Sequence, residues 1–101
     1  MANEGYHEQL DKLKPETLDM HRAVQSLMEE LEAVDWYSQR MDACTDQELR
    51  AILQHNRDEE KEHAVMVLEW IRRRDPEMDK QLRKILFKDG PIAGDHEDDH
   101  A

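Results

Sequence analysis

The chain has 101 residues and carries 25 Asp and Glu against 14 Lys and Arg, a formal net charge of -11. This charge argues against nucleic acid or an anionic membrane as the partner and favours cations. A single copy of this size buries too little surface for comfortable stability, so we expect self-association. The single cysteine, Cys44, excludes an intrachain disulfide. Without an export signal or a membrane-length apolar run, we expect a cytoplasmic protein.

Apolar residues recur at alternating three- and four-residue steps after Pro15, which suits a first helical turn. This spacing predicts one long helix over residues 15–43, preceded by a mobile segment over residues 1–14. The apolar positions of this helix are Met20, Val24, Leu27, Leu31, Val34 and Met41.

The segment Thr45–Glu48 matches a capping box, in which the threonine oxygen accepts from the backbone three residues on and the glutamate reaches back. It predicts a second helix that starts at about Asp46 after a very short turn, which gives an antiparallel hairpin. The second helix should run to about Arg74, where Asp75-Pro76 ends it.

Asp75 and Pro76 also have the character of a cap and first residue, so we expect a third, shorter helix through about Lys88. Its apolar edge comprises Leu82, Ile85 and Leu86. Residues 89–101 are acidic and polar, which is typical of a flexible tail. The sequence therefore predicts an all-α fold, with one helical domain over residues 15–88.

The apolar face of the second helix is polar at its middle, where Asn56, Glu60 and His63 project. A carboxylate at that depth is costly unless it is paired or bound to a metal. The Glu-x-x-His spacing of Glu60 and His63 places a carboxylate and an imidazole one turn apart on one face, where both can reach one ion.

On the first helix, Glu30 projects at the edge of the apolar stripe, about 70° from its centre. Carboxylate-bridged di-metal bundles use one Glu from each of two helices and a Glu-x-x-His from each of the other two, and this chain holds one of each. Two copies are therefore needed, and their dimer would complete a ferritin-like four-helix bundle. Mixed oxygen and nitrogen ligands suit iron or manganese, with zinc also open.

A second interpretation needs no metal. Glu60 and His63 would form a buried ion pair that fixes the register of a helical adaptor docked on a partner, and Glu30 would be an ordinary solvated residue. A third interpretation is another di-metal oxidase, which should need an apolar substrate pocket beside the metals.

Two stretches resemble the encapsulated ferritins: Met-Glu-Glu-Leu-Glu-Ala-Val-Asp-Trp-Tyr at Met28–Tyr37, and His-Asn-Arg-Asp-Glu-Glu-Lys-Glu-His at His55–His63. By this resemblance Glu30, Glu60 and His63 are the ligands of a di-iron ferroxidase centre shared between two chains, which oxidises Fe2+ with O2. The resemblance also implies that dimers form a ring of about ten chains. Such rings work inside an encapsulin shell, a nanocompartment that holds the iron mineral.

The family also carries an iron uptake site on the outside of the bundle, which maps onto Glu29, Glu32 and Trp36. Helical geometry agrees, because these three positions lie within about 60° of one another on the face opposite the apolar stripe. Tyr37 lies two turns beyond Glu30 on nearly the same line. We expect it to donate to a ligand carboxylate, or else to pack at the dimer seam.

Overall fold

A computed structural model describes residues 5–94 of the chain, which hold helices and no strand. The elements are a short 3-10 helix, Leu10–Lys12, and three α-helices: α1 (Pro15–Ala43), α2 (Gln47–Arg74) and α3 (Pro76–Ile85). The predicted all-α class is confirmed. Residues 1–4 and 95–101, and with them most of the predicted tail, lie outside the described residues.

The bounds of α1 match the predicted helix over residues 15–43. Pro15 occupies the first turn, where its missing N–H removes no helical hydrogen bond. The ring of Tyr6, which precedes α1, lies 4.4 Å between centroids from the ring of His21 on α1. This contact and the 3-10 helix were not predicted for the segment before α1.

The cap of α2 is Asp46 and not Thr45, so that part of the prediction is wrong. Asp46 Oδ2 accepts a hydrogen bond of 2.8 Å from the backbone N–H of Leu49, and the helix begins at Gln47. A carboxylate caps a helix at least as well as a threonine hydroxyl and also complements the positive end of the helix dipole. The helix therefore starts one residue later than the capping box indicates.

The predicted break at Asp75-Pro76 is confirmed. Asp75 Oδ1 accepts hydrogen bonds from the backbone N–H groups of Glu77 and Met78, at 3.1 and 3.0 Å. The end of α3 differs from the prediction, because the helix stops at Ile85 rather than at about Lys88. Extended Leu86 and then Phe87, whose φ is 60°, carry the backbone out of helical geometry.

α1 and α2 pack along each other as the predicted antiparallel hairpin. Among residues 5–94 only Met41, Ala64 and Ile71 are buried. Many larger apolar side chains of the two helices are exposed: Val24, Met28, Leu31, Leu49, Ile52, Val65 and Met66. A single chain thus has a very small core and presents apolar surface that a further chain could cover. No described helix is long and apolar enough to cross a membrane.

Arg72 ties α2 to α3 in a network that we call the α2–α3 elbow: Glu69, Arg72, Asp79 and Arg83. The Arg72 guanidinium donates to both oxygens of Glu69, at 2.7 and 2.8 Å, and to Asp79 on α3. Arg83 donates to Asp79 at 2.9 Å. Hydrogen bonds from Arg72, followed by those from Arg73, lower the pKa of Glu69 to about 2.

The elbow should loosen in acid. Because the folded-state pKa of Glu69 lies at about 2 and its ordinary value is 4.5, its pairing stabilises the elbow above that ordinary value. The contribution is lost as the pH falls from 4.5 toward 2. We expect Glu69→Gln to shift the backbone amide resonances of α3 at neutral pH and to reduce their acid-induced change. Glu62→Gln, an exposed acid of α2, is the control. Identical α3 spectra for Glu69→Gln and wild type would contradict the role of the elbow.

Candidate metal centre

The antiparallel hairpin brings the middle of α1 beside the middle of α2. Glu30 lies fifteen residues before Thr45, the centre of the turn, and Glu60 lies fifteen residues after it. Residues equally distant from the turn of an antiparallel hairpin come level with each other. His63 follows one helical turn after Glu60 and projects on the same side of α2.

Glu30, Glu60 and His63 form a group, the inner cluster, whose ligand atoms all lie within 4.8 Å of one another. The Nδ1 atom of His63 lies 3.7 Å from an oxygen of Glu30 and 3.7 Å from an oxygen of Glu60. These separations are too long for hydrogen bonds. Ligand atoms bound to one ion at about 2.0–2.2 Å can lie up to about 4 Å apart. The two separations of 3.7 Å lie within this range, so the His63 imidazole and either carboxylate can reach one cation.

The side chains of the inner cluster are partly exposed to solvent. The side chains of Glu30 and Glu60 are 23% and 25% exposed, while that of His63 is 45% exposed. Three protein donors do not fill the coordination shell of a metal such as iron, which in carboxylate-bridged bundles draws further ligands from facing helices. The exposed side at His63 leaves room for such ligands.

Glu60 opposes the ionisation of the Glu30 carboxyl group. The pKa of Glu30 is raised, chiefly by the hydrogen bond that it shares with Glu60, then by burial and by the negative charge of Glu60. His63 acts in the opposite direction and lowers the pKa of Glu30. Without a cation, Glu30 in the folded chain thus holds a proton more readily than an isolated Glu would. A divalent ion would relieve the same repulsion.

The predicted outer residues, Glu29, Glu32 and Trp36, are exposed on α1 and do not join the inner cluster. The charge of Glu29 nevertheless contributes to the raised pKa of Glu30. Trp36 is 49% exposed. We call these three residues the outer cluster.

Tyr37 is half-buried on α1, and the structure gives it a partner that sequence reasoning missed. The guanidinium carbon of Arg40 lies 5.3 Å from the centroid of the Tyr37 ring and 5.9 Å from that of Trp36. Such distances are those of cation–π contacts. The spacing of three and four residues along a helix was the available signal for this contact.

Comparison with known proteins identifies a family and several similar chains. The family model EncFtn-like matches residues 5–89. An encapsulated ferritin-like protein of Rhodospirillum rubrum is 61% identical over 92 residues, which cover 91% of this chain and 66% of that protein. A ferritin-like protein of Thermotoga maritima is 52% identical over 88 residues, which cover 87% of this chain and 77% of that protein.

An encapsulin nanocompartment cargo protein of Myxococcus xanthus is 41% identical over 59 residues, which cover 58% of this chain and 45% of that protein. A crystal structure of a protein from Nitrosomonas europaea superposes with a TM-score of 0.86 at 64% identity, covering 89% of this chain and 99% of the other. The chain thus spans just under two thirds of the length of the Rhodospirillum protein. The resemblance seen in the sequence is confirmed, and the chain belongs to the EncFtn-like family.

Proposed function

We propose that this protein is a ferroxidase, which binds Fe2+ as its substrate at the inner cluster and oxidises it to Fe3+ with O2. The observation that carries the proposal is the convergence of Glu30, Glu60 and His63 from two helices to within 4.8 Å. Membership of the EncFtn-like family supports iron as the metal. The relatives named as encapsulated ferritin-like and ferritin-like proteins support the same reaction class.

The reacting centre forms between two copies of the chain. One copy supplies two carboxylates and one imidazole, which is half of the set of four carboxylates and two imidazoles that carboxylate-bridged di-iron bundles use. A two-fold axis beside the exposed side of His63 would bring the second half into place. Four carboxylates then balance the formal charge of two divalent ions, and the exposed apolar side chains of the hairpin support burial at such a seam.

The ligands themselves favour oxidation. Anionic oxygen donors attract Fe3+ more strongly than Fe2+, because the Coulomb energy grows with the charge of the ion. Glu30 and Glu60 thus make the loss of an electron easier. Holding two Fe2+ ions together lets one O2 molecule take an electron from each and, with two protons from solvent, leave as H2O2. His63 completes the donor set with an imidazole nitrogen, which can bind a metal only in the neutral form of the ring.

The outer cluster would serve iron uptake. Glu29 and Glu32 offer exposed carboxylates to Fe2+ on the same helix as Glu30. The negative charge of Glu29 also contributes to the raised pKa of Glu30. Trp36 would border that site. Tyr37 remains our candidate for a hydrogen-bond donor to a ligand carboxylate, held in place by the Arg40 contact.

Supply of Fe3+ to a mineral inside an encapsulin shell is the cellular role that we propose, with the dimers joined in a ring of about ten chains. The name of the Myxococcus relative, an encapsulin nanocompartment cargo protein, supports this placement. A di-metal oxidase for organic substrates has less support. Two apolar grooves, of about 600 Å³ between α2 and α3 and about 420 Å³ between α1 and α2, are lined by no residue of the inner cluster.

The ligand assignment can be tested by substitution. We expect Glu30→Ala, Glu60→Ala and His63→Ala each to slow Fe2+ oxidation, followed by stopped-flow absorbance, by at least about tenfold, because loss of even an outer partner of a metal ligand costs that much. Glu62→Ala is the matched control, since Glu62 is an exposed carboxylate of α2 outside the inner cluster. Wild-type rates in all three ligand variants, or an equal loss in Glu62→Ala, would contradict the assignment.

Removal of charge at Glu30 should have opposite effects with and without metal. Because the pKa of Glu30 is raised in the folded chain, its ionised form costs stability at neutral pH, and this cost disappears as the pH falls below that pKa. Glu30→Gln imitates the protonated form, so we expect a higher thermal unfolding midpoint for the metal-free variant and weaker Fe2+ binding.

Glu32→Gln is the control for this experiment, since it removes an exposed carboxylate of the same helix outside the inner cluster. A metal-free midpoint for Glu30→Gln below that of the wild type would mean that the two carboxyl groups do not repel each other in the folded chain. Unchanged Fe2+ binding would instead remove Glu30 from the ligand set.

A further inference from the structure

Met66 lies one helical turn beyond His63 on α2, and its side chain is 63% exposed. Side chains three residues apart on a helix are neighbours, with about 5–6 Å between their Cβ atoms. The thioether of Met66 is therefore held beside His63, the most exposed residue of the inner cluster. The proposed ferroxidase reaction makes no use of this sulfur.

Met66 also lines the apolar groove of about 420 Å³ between α1 and α2. The same groove is lined by Ser26, which lies one turn before Glu30 on α1. The groove therefore begins about one helical turn from the inner cluster, on the same side of the hairpin. A small uncharged product that leaves the cluster along this groove passes the sulfur of Met66.

The proposed reaction supplies a product that methionine consumes. Two Fe2+ ions that each give one electron to O2 leave H2O2, which carries no charge. A thioether sulfur attacks one oxygen of H2O2, so that an S–O bond forms and the O–O bond breaks. The departing hydroxide takes the proton from the oxygen now bound to sulfur and leaves as water. The sulfur has lost two electrons and the peroxide has gained them, which gives methionine sulfoxide.

We propose that Met66 takes up H2O2 released at the inner cluster, and that its oxidation to the sulfoxide weakens the pairing of two copies. This inference rests on the proposed ferroxidase function, which supplies the peroxide. The sulfoxide is polar where the thioether was apolar. In a dimer that joins two inner clusters, Met66 lies on the side of α2 that the partner approaches, so a polar group there opposes association. The reaction thus limits itself.

Met28 offers a matched comparison within the same chain. Its side chain is 57% exposed, close to the 63% of Met66. It precedes Glu30 by two residues, which places it about 200° around α1 at about 100° per residue, on the opposite side of that helix. Peroxide that arrives from bulk solvent should therefore oxidise both methionines alike, whereas peroxide released at the inner cluster should reach Met66 first.

Peptide mass spectrometry distinguishes these two sources of peroxide. In wild-type protein given Fe2+ in air, with catalase present to remove peroxide from bulk solvent, we expect several-fold more sulfoxide at Met66 than at Met28. H2O2 added to metal-free protein without catalase should oxidise the two alike. The same ratio of Met66 to Met28 sulfoxide in both experiments would overturn the proposal. Oxidation spread over Trp36 and Trp70 would also overturn it, because it indicates free radicals rather than H2O2.

Met66→Leu tests the consequence for association. Leucine keeps an apolar side chain of similar volume and has no sulfur to oxidise. After repeated Fe2+ additions in air, removal of Fe3+ with a chelator and anaerobic reloading with Fe2+, we expect sedimentation to show a loss of wild-type dimers that follows the rise in Met66 sulfoxide. Dimers of Met66→Leu should persist, while the control Met28→Leu should lose them as the wild type does. An equal loss in Met66→Leu and wild type would overturn the effect on pairing.

The ferroxidase and the role of Met66 fail in different ways. A wild type that does not oxidise Fe2+ would overturn the ferroxidase and, with it, the source of the peroxide. Rapid Fe2+ oxidation with equal sulfoxide at Met66 and Met28 in the presence of catalase would overturn the role of Met66 alone and leave the ferroxidase in place.

Discussion

Two carboxylates are held together at the centre of a hairpin that buries only three side chains in its described part. The hydrogen bond shared with Glu60, then burial and the negative charge of Glu60, raise the pKa of Glu30, and the very small core cannot offset much repulsion between the two groups. In the dimer that we propose, a cation would relieve the repulsion and a second chain would enlarge the core. The proposal thus connects metal binding with assembly, because each chain would bring half of the ligands and little of the core that a stable fold needs.

The sequence predicted the parts of the structure that depend on local signals. Pro15 and Asp75-Pro76 mark helix boundaries because their backbone preferences act over one or two residues. The inner cluster was also predictable, since the spacing of Glu60 and His63 within a helix fixes their common face. The prediction of Thr45 as the cap was wrong, since Asp46 caps the helix. Both side chains can accept a backbone hydrogen bond at a helix start, and the sequence pattern alone does not decide between them.

Other features were beyond sequence reasoning because they depend on where α3 lies. Arg72 bonds to Asp79 seven residues later, across a break between helices, and no helical spacing predicts such a contact. The left-handed backbone conformation of Phe87 could not be predicted from the sequence either, because glycine and not phenylalanine usually adopts it. Arg72 and Phe87 both line the groove between α2 and α3.

The central claim is that a dimer binds Fe2+ at the inner cluster more tightly than a single copy of the chain does. Native mass spectrometry of protein titrated anaerobically with Fe2+ tests it most directly, because it counts metal ions in each assembly separately. The account predicts monomers without bound iron and dimers with about two ions each, loaded together. Monomers that bind one Fe2+ as tightly as dimers do, with single ions spread independently over the dimers, would contradict it.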